Sequence, residues 1–498
     1  KLWRLLRAAY KECLCPVFLN GRLSRWFPLL QGVKQGAIVS MLMYICFING
    51  LMSEIMETNR GCVTLEIDAG CVGYADDLAF LTYSQDNMQV LINMAVKHSN
   101  MWRFEFSTAK CACLGFCNDT SNVDLFIGGE RLKVCTHYDH VGIPIRSQGN
   151  TTAREIQAKL DLCKRAFYSL VGGSLFKSTL SPLALSKVYQ SIVIPKLMYG
   201  AEVRKYSDTE IDTYEKFHRK MGKDIQSLSG STPNPVAFAT LGWKEIACKI
   251  DIIRLQFIQR ILSLDAQCIY RLLFLRRFYY VVYAGVDSCT GPIAQILRTC
   301  IKYNFLQTVL GLIEEGGSIS KEVWRKSVLR IVCDLDHANW RFSLTLYPKL
   351  SIFRTVIQKC EPVCWWQLAK SQPYLKRTCI TVVNLLCGNS ILAQYKNTTS
   401  PRVERLCKLC DLREVEDTLH FIHQCPHFSV QRYALLSNIR SGLSEEGRIQ
   451  WDDLGVTLRA YIILGMDFPL PTDDLLHIRI QSCISLHSMY NDRLHCPV

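Results

Sequence analysis

Apolar and polar positions alternate over short stretches near the N-terminus and then recur at helical spacing through most of the chain. Val63-Thr64-Leu65-Glu66-Ile67 has the period of two of a half-buried strand. The apolar runs Cys71-Val72-Gly73-Tyr74 and Leu78-Ala79-Phe80-Leu81-Thr82 flank Ala75-Asp76-Asp77, which predicts a hairpin with both aspartates at its tip. Residues 111–116 read as a further strand, residues 1–10 as an amphipathic helix and residues 41–52 as an apolar one. Farther on, Thr152-Ala153-Arg154-Glu155 has capping-box spacing, and Ile156, Leu160, Cys163, Phe167 and Leu170 follow as one helix face until Gly172-Gly173. Ser181-Pro182 predicts a second helix, capped by the serine and running to about Val193 ahead of Pro195. Residues 227–235, rich in Ser, Gly and Pro, read as a linker. The apolar segment 252–275, with Arg254, Arg260, Arg271, Arg276 and Arg277 spaced along and just beyond it, predicts a helical connector with a basic side, and Trp365-Trp366 reads as core.

Size and charge narrow the class. A chain of 498 residues with 49% hydrophobic content can bury several cores and is expected to form two to four domains. Its net charge of +14 favours a polyanionic partner, and the first 60 residues carry eight Lys or Arg against three acids. No secretory segment is visible, and the apolar stretch 37–52, broken by Ser40, Asn49 and Gly50, reads as too short to span a membrane. The 24 cysteines are therefore expected to stay reduced, and the sequons at Asn118, Asn150 and Asn397 are expected to be fortuitous.

Two adjacent carboxylates between apolar flanks repel one another unless a counter-ion compensates, and hard oxygen ligands suit Mg2+ or Mn2+. A solvated turn is the plain alternative, since Asp is a common turn residue. Upstream, Gly32-Val33-Lys34-Gln35-Gly36-Ala37-Ile38-Val39-Ser40 supplies two glycines that let backbone approach a ligand, an amide that donates and accepts, and a lysine that can meet phosphate. In this order and spacing, the loop and Tyr74-Ala75-Asp76-Asp77 resemble the reverse transcriptase of LINE-type (non-long-terminal-repeat) retrotransposons. Met41 stands where the family commonly has proline.

The resemblance implies an α+β partial right-hand polymerase palm over residues 1–150. A helical thumb (151–226) and a helical connector (236–400) would follow, then a zinc-binding knuckle (401–440) and a C-terminal tail region (441–498). It implies that Gly32, Lys34, Gln35 and Gly36 contact template or nucleotide, that Asp76 and Asp77 hold catalytic Mg2+ or Mn2+, and that Tyr74 lies near the primer end. Lys110, after Phe106-Ser107-Thr108-Ala109, becomes a candidate general acid or pyrophosphate contact, and Tyr138-Asp139-His140-Val141-Gly142-Ile143 resembles the primer-grip hairpin. Arg154, Lys159, Lys164 and Arg165 would follow a duplex through its phosphates, or form an ordinary solvated face. Leu197-Met198-Tyr199-Gly200-Ala201-Glu202 and Leu241-Gly242-Trp243 resemble family signatures expected to serve packing.

Cys407-x2-Cys410-x9-His420-x4-Cys425 offers three thiolates and an imidazole, the donor set of structural Zn2+. A short helix over 416–422, ended at Pro426, can turn the last two ligands toward the cysteine loop, with His423 or His427 as substitutes for His420. It resembles the knuckle that follows the polymerase in the same element class, including the succeeding helix with Arg432.

The expected activity is RNA-directed DNA synthesis, with an RNA template, a DNA primer or target and deoxynucleoside triphosphates as partners, in an intracellular ribonucleoprotein of nucleus and cytoplasm and away from membranes. The family's third aspartate lies upstream of the loop motif, and residues 1–31 do not supply it. The sequence is therefore expected to be a fragment or a decayed copy with little or no polymerase activity as given; primer extension that Asp76→Ala abolishes would contradict this. A noncatalytic nucleic-acid-binding protein derived from such an element is the other expectation. The reading frame upstream of residue 1 discriminates between the two. Asp452-Asp453 and Asp473-Asp474 stand apart from any acid and lysine set, so no nuclease is expected in the chain.

Overall fold

The computed structural model describes residues 2–11, 13–30, 32–34, 36–116, 123–147, 151–172, 179–316, 319–396 and 401–496. Gln35, Gly173 and the sequon residues Asn118, Asn150 and Asn397 lie outside them. The chain divides into two compact units, Lys1–Asn150 with Ala266–Arg277, and Thr151–Asp265 with Phe278–Val498.

All strands of the described residues fall in the first unit, as seven two-stranded pairs, and the rest of the chain is helical. Helix Ile38–Glu57 lays Ile48, Leu51 and Ile55 against Cys71 of the predicted hairpin and Leu91 and Ala95 of helix Gln85–Trp102. That spacing of three to four residues puts one apolar stripe on the hairpin's inner face. The apolar helix is longer than the expected 41–52, because Ile38, Val39 and Ser40 already join it and nothing breaks it before Thr58. At 20 residues it is long and apolar enough to cross a membrane, which corrects the expectation that this region is too short. The predicted strand over 63–67 is instead a tight hairpin. Leu65 and Glu66 both take positive φ, and Val63–Thr64 turns back onto Ile67–Asp68. Trp3, Phe18, Leu19, Trp26, Leu30 and Ile38 all stay exposed in the N-terminal segment.

In the second unit one hydrophobic core runs from Ile156 to Met489. Helix Ala153–Val171 starts at the predicted capping box: Thr152 N donates to Glu155 Oε2 at 2.8 Å, and Glu155 N donates to Thr152 Oγ1 at 3.4 Å. Ile156, Leu160, Cys163 and Phe167 are buried, but the last core position is Val171, and Leu170 is exposed. A 3.6-residue repeat advances past Leu170 by the fifth turn. The second helix does begin at Ser181-Pro182, yet it continues through Pro195 to Met198. A π-helical turn at Tyr189–Val193 shifts the hydrogen-bond register there, where proline has no N–H to give.

Residues 227–235 are not a spacer between bodies. Leu228 and Thr232 are buried, Lys223 Nζ donates to Gly230 O at 2.8 Å, and Asn389 Nδ2 donates to Thr232 Oγ1 at 2.8 Å. Trp365 and Trp366 are fully buried, the latter donating to Gln226 Oε1 at 2.8 Å. Leu197, Met198, Ala201, Leu241 and Trp243 are buried too, and Trp243 stacks on Tyr189 with ring centroids 4.5 Å apart. The expected basic side of the connector is incomplete. Helix Ile246–Leu262 buries Arg254 next to Asp251, because that face meets helix Pro292–Lys302 rather than solvent. Asp452 pairs with Arg440 at 2.7 Å, and Asp474 accepts from Ser444 N at 2.9 Å.

Candidate active site and metal centre

Cys71–Tyr74 pairs antiparallel with Asp77–Phe80 in the register Cys71↔Phe80, Val72↔Ala79, Gly73↔Leu78, Tyr74↔Asp77. Asp76 therefore sits in the two-residue turn and Asp77 opens the second strand, as the flanking apolar runs predict. Ala75 carries the turn at φ 53°, a left-handed conformation that a non-glycine residue adopts at a cost. Cys71, Gly73, Leu78 and Phe80 share the inner face. Gly73 lets that face lie close to the long helix, since a Cβ there would stand 3.1 Å from Met52 Sδ. Tyr74, Asp76 and Asp77 are exposed, with the carboxylates free to take a ligand from solvent.

Tyr44 joins the site, a residue the sequence reading overlooked. Its ring packs against the apolar cluster that holds Cys71 of the hairpin, and burial, and then the charge of Asp76, push its phenol up. The signal was present: 44, 48, 51 and 55 form one helical stripe.

The loop before the long helix is pinned rather than open. Gly32 and Gly36 take φ of 87° and 85°, the left-handed region that glycine enters freely. Lys34 Nζ donates to Ala9 O at 3.1 Å beside the Tyr10 ring, while Ser40 Oγ donates to Lys34 O at 2.7 Å and lies 2.9 Å from Tyr10 Oη. Lys34 is exposed, so the ammonium donors that Ala9 does not use can meet phosphate. Lys110 ends the single turn Thr108–Lys110 and is exposed. Its carbonyl accepts from Tyr138 Oη at 2.9 Å, which ties it to the hairpin His137–His140/Ile143–Arg146. That hairpin turns at Val141 and Gly142, both at positive φ, where the sequence placed it. Of the expected thumb cations, Arg154 and Arg165 are exposed and Lys164 lies 3.4 Å from Asp161, whereas Lys159 turns toward the Tyr214 ring.

Cys407, Cys410, His420 and Cys425 converge, their ligand atoms all within 4.8 Å of one another. They are the sole group of three or more candidate ligands this close among the described residues. Cys407 Sγ and Cys425 Sγ are 3.8 Å apart, and Cys410 Sγ and His420 Nε2 are 3.5 Å apart. Zn–S bonds of about 2.3 Å and Zn–N bonds of about 2.05 Å at tetrahedral angles place such pairs about 3.8 and about 3.6 Å apart, so the donors fit that ion. Neither His423 nor His427 belongs to the set, and His427 Nε2 lies 3.6 Å from Cys496 Sγ instead.

Local structure sets these donors. The bridge Leu406↔Val415 closes the cysteine loop, and Cys407 N donates to Glu414 O at 2.8 Å. Asp417 Oδ1 accepts from His420 N at 2.8 Å and starts the helical turn whose end Arg432 closes by donating to Ile422 O at 2.9 Å and to Cys425 O. Burial, and the neighbouring Cys425, push the Cys407 thiol up to about 12. The knuckle is built into the larger core: Cys407, Phe421, Cys425 and Phe428 pack in the same cluster as Leu386 and Leu486. Arg493 Nε and Nη2 clamp Glu416 at 2.5 and 3.0 Å, with both side chains buried.

Residues 3–128 match the family described as reverse transcriptase (RNA-dependent DNA polymerase). The chain is 23% identical over 242 residues to the RNA-directed DNA polymerase from mobile element jockey of Drosophila melanogaster, covering 46% of this chain and 25% of that protein. It is 21% identical over 223 residues to the retrovirus-related Pol polyprotein from type-1 retrotransposable element R2 of Nasonia vitripennis, covering 42% of this chain and 20% of that one. The match thus spans a quarter or less of the curated relatives' length.

Proposed function

Because the chain is related to the reverse transcriptases of LINE-type retrotransposons, we propose that it acts in RNA-directed DNA synthesis, with residues 1–150 contributing part of the polymerase palm. The observation that carries this reading is the hairpin with Asp76 in its turn and Asp77 at the next position, both exposed, inside the segment that matches the family.

Asp76 and Asp77 offer the hard oxygen donors that suit Mg2+ or Mn2+, which when bound supplies charge stabilisation at the reacting phosphate. Tyr74, exposed beside them, is assigned to the primer end. Gly32, Lys34, Gln35 and Gly36 are assigned to contact with template or nucleotide, the two glycines carrying no Cβ that would hold a ligand off the backbone. In the reaction, the primer 3′-hydroxyl forms the new bond to the α-phosphate and pyrophosphate leaves. Lys110 is the proposed donor of the proton that the leaving group takes. RNA, DNA primer and deoxynucleoside triphosphates are the partners this chemistry requires, within an intracellular ribonucleoprotein. The Cys407/Cys410/His420/Cys425 centre is assigned to Zn2+ in a structural role, since all four positions of a tetrahedron are filled by protein.

Manganese titration of the full chain, followed by electron paramagnetic resonance, tests the first assignment. The double substitution Asp76→Asn, Asp77→Asn is expected to abolish saturable Mn2+ binding and to leave thermal stability nearly unchanged, because both side chains are exposed. Binding that persists in the double variant would remove the hairpin from the metal site.

A further inference from the structure

Helix Leu2–Tyr10 ends against the glycine loop, and its last residue meets that loop twice, through hydroxyl and through ring. Tyr10 Oη lies 2.9 Å from Ser40 Oγ, and Ser40 Oγ donates to Lys34 O at 2.7 Å. A serine hydroxyl has one proton, already given to that carbonyl, so the phenol is the donor of the first bond. The same carbonyl accepts from Ala37 N at 3.2 Å, and Ala37 O accepts from Ser40 N at 3.1 Å. At the other end of Lys34, Nζ donates to Ala9 O at 3.1 Å and stands 5.6 Å from the Tyr10 ring centroid, within cation–π range.

The local sequence does not account for this arrangement. Ser40 stands in the first turn of helix Ile38–Glu57, whose N-cap Ala37 has no side chain to close it. Ser40 is 6% exposed, whereas its neighbours Val39 and Met41 are 40% and 55% exposed. A buried hydroxyl costs stability unless its bonding capacity is used, and Tyr10 supplies the proton that Ser40 Oγ accepts. Gly32 and Gly36 leave the loop backbone with wide conformational freedom, so these side-chain bonds set its shape.

We propose that Tyr10 is a positioning residue for the loop. Through Ser40 it fixes the Lys34 carbonyl, and through its ring it sets the direction of the Lys34 ammonium. The ammonium keeps donors for a phosphate, so Tyr10 orders that contact without making it. A loop held in this way loses less conformational freedom when its ligand arrives. The inference rests on the assignment of the loop to template or nucleotide.

Hydrogen–deuterium exchange of the full chain tests the positioning by itself. Tyr10→Phe keeps the ring beside Lys34 and removes only the hydroxyl. It is expected to speed exchange of the Ala37 and Ser40 amides about fivefold and to leave helix Gln85–Trp102 unchanged. Ser40→Ala is expected to do the same, with Tyr10→Phe adding nothing to it. Binding of deoxythymidine triphosphate with an oligo(rA)·oligo(dT) primer–template gives the functional reading. Affinity is expected to fall about fivefold in Tyr10→Phe, and Tyr10→Phe to change nothing further in a Lys34→Ala background, a dependence that a residue serving packing alone does not show. Unchanged exchange, unchanged affinity in a chain whose exchange has risen, or a loss that persists in the Lys34→Ala background would overturn the proposal. Faster exchange in a chain that binds no nucleotide supports the positioning and counts against the polymerase reading alone.

Discussion

Cys425→Ser is expected to strip the protein of one equivalent of zinc and to destabilise the helical unit as a whole. Structural zinc supplies on the order of 10 kcal/mol of folding free energy in small zinc domains. An ion held by this donor set would act inside a shared core, since Cys407 and Cys425 pack with Phe421, Phe428, Leu386 and Leu486. Two further bonds carry it outward: Thr418 Oγ1 donates to Leu385 O at 3.2 Å, and Arg432 closes the turn that bears the ligands. Metal analysis of protein purified without chelator is expected to give one zinc per chain, and close to none in Cys425→Ser. Far-ultraviolet circular dichroism during chelation gives the second reading. Loss of helix well beyond the knuckle is expected, whereas a knuckle that folded by itself would release its ion with the helical signal unchanged.

Glu416→Ala is expected to cost about 3–5 kcal/mol, the range for leaving one charge of a buried pair without its partner. Arg493 makes a two-pronged contact to Glu416, and Glu416 Oε2 also accepts from Ala393 N at 2.9 Å. One side chain thus joins the knuckle, the segment before it and the C-terminal helix Thr472–His495. Denaturant unfolding measures the loss. Arg493→Met in the Glu416→Ala background is expected to recover part of it, because the stranded cation goes with it. A double variant no more stable than Glu416→Ala alone would show that the cost lies in the lost Ala393 contact rather than in the unpaired charge.

The local chemistry was largely legible in the sequence. Hairpin and caps are short-range objects: apolar runs fix Cys71–Tyr74 against Asp77–Phe80, and Thr152 with Glu155 fixes a helix start over four residues. The convergence of the Cys/His donor set was legible for a similar reason, since Cys407-x2-Cys410 and the turn before Pro426 need little else to meet. Errors arose where a partner distant in sequence decided the outcome. Arg254 and Lys159 look like surface cations on their own helices, but neighbouring elements bury Arg254 and draw Lys159 toward the Tyr214 ring. Residues 227–235 have a linker's composition, yet Asn389 and Lys223 tie them into the core. Pro195 is a local exception: it looks like a stop because proline breaks an α-helix, but the adjacent π-turn Tyr189–Val193 accommodates it.

By itself, then, the sequence determined the chemistry this protein presents: two carboxylates at a hairpin tip, a glycine loop ahead of an apolar helix and a Cys/His donor set. Residue type and spacing within about twenty positions suffice for each of these. Tertiary structure alone decided which charges meet solvent and that Glu416 finds Arg493 across 77 residues. Burial and ion pairing depend on which faces the fold brings together, and no local period in the chain encodes that choice.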